Sequence, residues 1–370
     1  MPSLSVEPAP RAEPLETTTI ATRNRARGHR LTIVSALVLV ASAGALLAAV
    51  LVGPAHLSAG EVFGAMIRRL TGRVAEGNWR DTVVVSVRLP RALVGFVVGA
   101  GLGVSGAALQ GLFRNPLAEP GVLGISSGAS LGAVVAIVSR LAGRTVFALP
   151  ISAFLGAATD ALLVFAIAAR RGRGRLFTGT LLLVGVAVAA LQVSLITFLL
   201  SLALSTYDVG RQVQYWLLGG LEGRTWDHLL LGGPAILLGV AVTAAHARDL
   251  DALLLGETAA QSVGVDLPRV RLRIILATSL TIGSAVAVAG PIGFVGLLVP
   301  HIFRLAVGPR HASLLPLSFF GGGLFLVVAD IVARTLIAPA QIPVGVVTAV
   351  VGAPVFLALL VRKRVEVAGP

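Results

Sequence analysis

The 370-residue chain contains no cysteine and a single lysine, Lys363. Without cysteine it cannot form a disulfide framework, a thiolate nucleophile or a cysteine-ligated metal site. A Walker A phosphate loop requires a Gly-Lys-Ser/Thr sequence. Because Lys363 stands between two arginines, the chain holds no such ATP site. If ATP drives this protein, the ATPase is therefore a separate polypeptide.

Charged residues are also scarce, at 13%, whereas 56% of the chain is hydrophobic and the mean hydropathy is +0.91. Apolar runs of about 20 residues recur along nearly the whole length, and each can cross the hydrocarbon core of a bilayer. The net charge of +13 would suggest nucleic acid in a soluble domain. Here the basic residues lie mostly in short segments between apolar runs, where they set topology. The composition predicts an all-α membrane protein whose environment is the lipid bilayer, without a nucleic-acid partner.

The hydropathy pattern predicts ten transmembrane helices within a permease domain over 31–362. Residues 1–30 are expected to be a disordered cytoplasmic tail, and 363–370 a second cytoplasmic tail. The first apolar run exceeds a signal-peptide core of about 7–15 residues, so it is interpreted as an uncleaved span. The predicted spans cover about residues 31–53, 91–111, 121–139, 146–169, 177–201, 229–247, 274–290, 292–308, 313–333 and 343–361.

The distribution of basic residues predicts an N-in/C-in orientation. In that orientation the inner segments carry 19 lysines and arginines and the outer segments carry 11, in agreement with the positive-inside rule. Eleven outside is still many, and a docking surface for an acidic partner is one explanation. Four spans at about 91–201 and four at about 274–361 start on opposite sides, so they are candidates for an inverted repeat.

Glycines are concentrated in the second predicted span. Residues 101–106 match the dinucleotide fingerprint GxGxxG, but that motif requires a βαβ unit, which a membrane helix cannot supply. Gly95, Gly99 and Gly103 recur every four residues and therefore share one helix face. Small residues on one face let helix backbones approach closely, so we interpret these glycines as packing residues.

Two arginines, Arg88 and Arg91, lie one helical turn apart at the outer end of that span. Their spacing puts both guanidinium groups on one side of the helix. Two interpretations stay open: the side chains snorkel to the membrane interface, or they dock a partner. Arg334 is a third outward arginine, and it is placed to form an i,i+4 pair with Asp330.

The inner segment 248–273 is the longest predicted cytoplasmic connection. It reads as a short helix from Asp251 to Val263 that is interrupted at Gly256 and ended by Gly264 and Pro268. Small side chains on a surface helix suit insertion into a groove of a partner protein. An amphipathic helix lying on the membrane is the alternative.

Asp160 is the one acidic residue well inside a predicted span. An intramembrane carboxylate is a functional candidate by default. It could carry protons in a secondary transporter, or it could simply be paired within the bundle. No HExxH or GxSxG motif and no pair of carboxylates at catalytic spacing occurs, so we predict no catalytic residue and no metal site.

Eight segments of the chain, taken together, resemble the permease subunits of ABC importers for iron chelates, haem and cobalamin. The resemblance covers roughly residues 60–362. The segments are RLPR (88–91), FRNPLAEP (113–120), GVLGISSGAS (121–130), YWLLGGL (215–221), LGETAAQSVGV (255–265), GPIGFVGLLVPHIFR (290–304), ADIVART (329–335) and PVGVVTAVVGAPVF (343–356).

This resemblance implies the type II ABC importer permease fold, with ten transmembrane helices in each subunit of a homodimer. It also implies two cytoplasmic ATPase subunits, which would bind the ATP and magnesium, and an extracytoplasmic substrate-binding protein. The chain itself would then need no cofactor. Its expected location is the plasma membrane, which is the inner membrane in many bacteria.

The resemblance also implies roles for particular residues. Arg88, Arg91 and Arg334 match outward arginines that pair with glutamates of the binding protein, which would explain the external positive charge. The segment 255–264 matches coupling helices that sit in a cleft of the ATPase. The residues expected to contact the ATPase are Leu255, Gly256, Glu257, Ala259, Ala260, Ser262 and Gly264.

The sequence is compatible with more than one substrate. We expect import of an iron complex, either a ferric siderophore or haem, with cobalamin as the alternative within the same family. A proton-coupled secondary transporter is a different class of function; it predicts a functional Asp160 and no ATPase. An intramembrane enzyme is disfavoured because no catalytic set is present.

Overall fold

The structure is a computed structural model that describes residues 15–72, 78–119, 121, 124–171, 178–203 and 207–367. The described chain is almost entirely helical and contains no strand. In chain order its α-helices are α1 (Leu15–Leu51), α2 (Ala59–Leu70), α3 (Trp79–Thr82), α4 (Leu89–Leu112), α5 (Ile125–Val138), α6 (Ala148–Arg171), α7 (Thr178–Ala203), α8 (Tyr207–Leu217), α9 (Trp226–Ala245), α10 (Ala247–Leu254), α11 (Glu257–Ser262), α12 (Leu267–Ala289), α13 (Val295–Val307), α14 (His311–Thr335) and α15 (Val344–Val367).

The predicted spans correspond to α1, α4 to α7, α9 and α12 to α15. Seven of these are long and apolar enough to cross a membrane unaided, and α5, α13 and α15 contribute shorter apolar segments. The predicted fold class, an all-α protein with about ten transmembrane helices, is confirmed.

The ends of the permease domain differ from the prediction of disordered tails. α1 begins at Leu15, and α15 continues to Val367, so much of both expected tails is helical. The segment 15–30 lacks proline and has its only glycine at Gly28, so nothing local prevents it from extending the helix. Residues 1–14 and 368–370 lie outside the described residues.

Two of the spans, α5 and α13, are half-length helices that begin within the membrane. At 14 and 13 residues they extend about 20 Å, less than the roughly 30 Å hydrocarbon core. Left-handed residues precede them, Gly124 (φ 80°) and Phe294 (φ 68°). A Cβ on Gly106, within α4, would overlap the carbonyl of Gly296 near the start of α13, which places that start below the outer face. Both half-helices follow a long buried span, which supports the predicted inverted repeat.

α4 is the central helix of the bundle and lies against α14. A Cβ at Gly99 would overlap the carbonyl oxygen of Gly322, and one at Gly103 would overlap that of Ser318. At Gly95 the added atom would lie 2.8 Å from Leu221 Cδ1. The glycine face predicted from the four-residue spacing therefore lies where neighbouring backbones approach closely.

The outer side of the bundle carries structure between the spans that the hydropathy pattern did not predict. α2 and α3 lie between α1 and α4, joined by an ion pair of Arg68 with Asp81 at 2.6 Å. A π-helical segment, Val83–Arg88, leads directly into α4. α8 lies between α7 and α9. On the inner side, α10 and α11 form the connection between α9 and α12.

Candidate functional sites at the two membrane faces

Arg88 is buried against the C-terminal end of α1, with only 3% of its surface exposed. Its Nη1 donates to the backbone oxygens of Val50 at 2.9 Å and Leu51 at 2.8 Å, and its Nη2 donates to that of Ala55. The last carbonyls of a helix lack intrahelical partners and carry partial negative charge. Arg88 therefore caps the end of the first span.

Arg91 and Arg334 converge on one buried carboxylate, Asp330. Arg91 donates from Nη2 at 2.9 Å and from Nε at 3.1 Å, and it also donates to Gln341 Oε1 at 2.8 Å. Arg334 Nε lies 3.6 Å from Asp330, the predicted i,i+4 pair, and its Nη2 donates to Ala49 O at 2.6 Å. Both arginines are buried, at 8% and 3% exposed.

The three arginines that the resemblance assigns to docking are thus buried and hydrogen-bonded within the chain. They are buried because their donors satisfy Asp330 and the carbonyls at the end of α1. We call Arg88, Arg91 and Arg334 the outer arginine cluster. Because Asp330 is the carboxylate that pairs with it, the cluster keeps an excess of two positive charges.

A cavity of about 550 Å³ lies beside α8 on the same outer side. No sequence prediction pointed to it, although polar residues at positions 208, 211, 212 and 215 of α8 follow the helical period of one face. We call it the outer cavity. Its lining residues are Asp208, Arg211, Gln212, Tyr215, Trp216, Gly220, Glu222 and Arg224.

Two of the lining groups have shifted pKa values. The hydroxyl of Tyr215 donates to Glu222 Oε2 at 2.6 Å, and this hydrogen bond, aided by burial, raises the pKa of Tyr215 to about 12. Burial, together with the charge of Arg91, lowers the pKa of Arg224 to about 10. At neutral pH Tyr215 is therefore protonated and Arg224 is charged.

The predicted interruption of the inner helix at Gly256 is observed, since α10 ends at Leu254 and α11 begins at Glu257. Gly256 has φ 114° and Gly264 has φ 89°, a region in which side chains are strained. Leu255 is 78% exposed. Of the other predicted coupling residues, Glu257 and Ser262 are exposed, Ala259 is half-buried and Ala260 is buried.

An open groove of about 670 Å³ runs along this α10–α11 connection. Arg114, from the segment after α4, lines it together with Leu255, Gly256, Glu257, Thr258, Ala259 and Ser262. The structure therefore brings most of the predicted coupling residues together on one surface. Ala260, by contrast, packs inward.

Two polar contacts attach the α10–α11 connection to the spans. Asp251 Oδ1, in α10, lies 3.0 Å from Nδ1 of the fully buried His311, at the start of α14. Glu257, at the start of α11, forms an ion pair with Arg271 of α12. A displacement of the connection would therefore act on two different spans.

Asp160 lies in a buried polar network inside the bundle. Its Oδ1 accepts from Gln192 Nε2 at 2.7 Å, and Gln192 Oε1 accepts from the Ser127 hydroxyl at 2.7 Å. This joins α5, α6 and α7. Oδ1 of Asp160 is thus paired within the bundle, which is one of the two predicted alternatives, whereas Oδ2 has no hydrogen-bond partner among the described residues. Among the described residues no group of three His, Asp or Glu could hold a metal ion.

A bundle of ten spans with half-length helices and a helical connection on the inner face is the architecture of a membrane permease. The sequence profile of the FecCD transport family matches residues 37–362, and the chain belongs to this family. It is a multi-pass permease of the ABC importer class and resides in the cell membrane. Its own role is transport rather than catalysis, as predicted.

Curated relatives and a solved structure agree with this assignment. The chain is 45% identical over 289 residues to the cobalamin import system permease protein BtuC of Halobacterium salinarum, covering 77% of this chain and 75% of the relative. It is 41% identical over 291 residues to the hemin transport system permease protein HmuU of Yersinia pestis, covering 77% and 85%. A solved chain described as an inward-facing, metal-chelate type ABC transporter matches with a TM-score of 0.78 at 30% identity, covering 90% of this chain and 99% of that chain.

Proposed function

We propose that this chain is the translocation subunit of an ATP-driven importer for an iron complex, either a ferric siderophore or haem. It would work as a homodimer, with the pathway between the two copies, two cytoplasmic ATPase subunits below and one extracytoplasmic binding protein above. The observation that carries this proposal is the match of residues 37–362 to the FecCD transport family.

The inner face supports a separate ATPase as the source of energy. The only lysine, Lys363, cannot belong to a Walker A loop, so ATP and magnesium would be bound by the partner. The exposed Leu255 and the small residues of α11 offer a surface that fits into a cleft. The contacts of Asp251 with His311 and of Glu257 with Arg271 would transmit motion of that surface to α14 and α12.

The excess positive charge of the outer face supports the proposal that a binding protein with acidic groups docks there. Because the three guanidinium groups of the outer arginine cluster are engaged within the chain, docking through them would rely on their excess of two positive charges. Such a charge acts on approach and orientation more than on affinity. A direct pair with a partner glutamate would have to displace a carbonyl or Asp330.

Cobalamin is a second candidate substrate. Two relatives support it: BtuC of Halobacterium salinarum at 45% identity, and the vitamin B12 import system permease BtuC of Vibrio vulnificus at 43% over 312 residues. HmuU of Yersinia pestis, at 41%, supports the iron complex instead. Differences of this size do not separate the two substrates.

Uptake into proteoliposomes tests the substrate. The chain would be reconstituted with its cognate ATPase and binding protein, and accumulation of ferric siderophore, haemin and cyanocobalamin compared with and without internal ATP. ATP-dependent accumulation of an iron complex alone supports the lead proposal, and accumulation of cyanocobalamin alone supports the second. Failure to accumulate any of the three with ATP contradicts both.

A further inference from the structure

Two guanidinium groups in the outer cavity have no carboxylate partner. Within the described part of the chain, none of the ion pairs closer than 4.0 Å involves Arg211 or Arg224. Arg211 lies 6.0 Å from the centre of the Tyr207 ring. Arg224 Nη1 lies 3.3 Å from Nε2 of His228. Both cations are therefore open to an anion.

The two acidic residues of the cavity have other local partners. Asp208 lies in the first turn of α8, where the partial positive charge of the helix N-terminus stabilises it. Glu222 accepts the hydroxyl of Tyr215 at 2.6 Å. The lining therefore holds two acidic and two basic side chains, with neither arginine in an ion pair with a described residue, and the outer arginine cluster adds positive charge nearby.

Two lining residues also carry hydrogen-bond donors without acceptors. Trp216 is only 8% exposed, and its indole N–H has no partner among the described residues. The Nε of Arg224 is likewise buried and unpartnered. Buried donors in folded proteins are nearly always satisfied. Both atoms are enclosed by the protein, so the remaining nitrogens of Arg224 and the exposed Arg211 are the donors available to the cavity.

We infer that the outer cavity binds a carboxylate group of the transported metal chelate. A guanidinium fork matches a carboxylate in two parallel hydrogen bonds, and Arg224 and Arg211 supply the donors. This inference rests on the proposed function and narrows its substrate class. It favours chelates with free carboxylates, such as haem, over chelates that present only carboxamides at this cavity.

Equilibrium binding to the full chain alone, in lipid nanodiscs, tests the inference without the ATPase or the binding protein. The probes are haemin and haemin dimethyl ester, which differ only in their carboxylates, and binding to empty nanodiscs is subtracted. We expect the ester to bind at least tenfold more weakly. Arg224→Gln and Arg211→Gln should each weaken haemin binding about tenfold, and neither should affect binding of the ester.

Arg80→Gln is the matched control, since Arg80 is another outer arginine, paired with Glu61 at 3.0 Å; haemin affinity should be unchanged. Because Arg211 is exposed, Arg211→Gln stays informative even if Arg224→Gln fails to fold. Equal affinity for haemin and its ester, or no effect of either arginine variant, overturns the inference. Binding of cyanocobalamin but not haemin also overturns it, while ATP-driven uptake of cyanocobalamin would leave the importer assignment intact.

Discussion

The guanidinium group of Arg88 joins the start of the second span to the end of the first. It meets carbonyls of Val50, Leu51 and Ala55, and Arg334 reaches Ala49 on the same helix end. Four backbone acceptors that would otherwise lack partners are thus satisfied by two cations. These two arginines therefore hold the C-terminal end of α1 against the rest of the helix bundle.

We predict that Arg88→Ala lowers the free energy of unfolding by about 3 kcal/mol, because buried carbonyls lose charged donors. The measurement is the melting temperature of the detergent-solubilised chain, which should fall by several degrees. Arg80→Ala is the control, since the Arg80 side chain is 49% exposed and exposed pairs contribute little. An unchanged melting temperature for Arg88→Ala would contradict the capping role.

Asp160 provides a second prediction at this scale. Asp160→Asn keeps the oxygen that accepts from Gln192, so we expect ATP-dependent uptake within about twofold of the parent, since that bond and the packing are retained. The check is the initial uptake rate in proteoliposomes. Uptake that is abolished by this substitution and follows a pH gradient would support a proton-coupled transporter instead.

The sequence predicted where the outer arginines lie along the chain but not their burial. Arg88 contacts residues 33 to 38 positions away, and Arg91 contacts Asp330, which is 239 positions away. Contacts between residues so far apart depend on how the spans pack together, and the spacing of residues along one helix carries no information about that packing. The pair of Asp330 with Arg334 was predictable because it follows from helix geometry alone.

Among the helices, the close approach of α4 to α14 depends on glycine. We predict that Gly99→Ala destabilises the chain by about 1 to 3 kcal/mol through overpacking, because its Cβ would overlap the Gly322 carbonyl. The melting temperature should fall accordingly. Gly44→Ala, on α1, is the matched control, since its Cβ would meet nothing within 4 Å. Equal effects of the two substitutions would show that close approach is not the cause.

The α10–α11 connection gives a prediction about coupling. Leu255→Glu should reduce ATP-dependent uptake at least tenfold, because a charge at the proposed contact opposes seating in the ATPase cleft. Folding should be unaffected, since Leu255 is 78% exposed. Leu70→Glu, at the 85% exposed end of α2 on the outer side, is the control and should retain uptake. Full uptake by Leu255→Glu would contradict the coupling assignment.

At the element scale, hydropathy located all ten spans, because a bilayer requires long apolar segments. The prediction did not include α8, because one face of this helix is polar and the other apolar. The mean hydropathy of the segment is therefore too low to stand out in a hydropathy profile. The outer cavity was therefore missed as well. The half-length of α5 and α13 was not predicted, since a hydropathy profile does not separate a short apolar helix from the apolar segment that precedes it.

The two faces of the helix bundle carry different functional features. Positive charge and the outer cavity lie on the outer side, and the α10–α11 connection lies on the inner side. The polar contacts of that connection with α14 and α12 join it to the helices that pack against α4. The proposed mechanism is alternating access, in which closure of the ATPases moves this connection and the spans shift from one opening to the other.

Measuring whether ATP or a pH gradient drives uptake would test directly whether this protein is an ATP-driven importer. Proteoliposomes holding the chain, its cognate ATPase and its binding protein would be given internal ATP without a pH gradient, or a pH gradient without ATP. An ATP-driven importer should accumulate the metal chelate with ATP alone and not with the gradient alone. Accumulation that follows the gradient and ignores ATP would contradict the assignment as an ATP-driven importer.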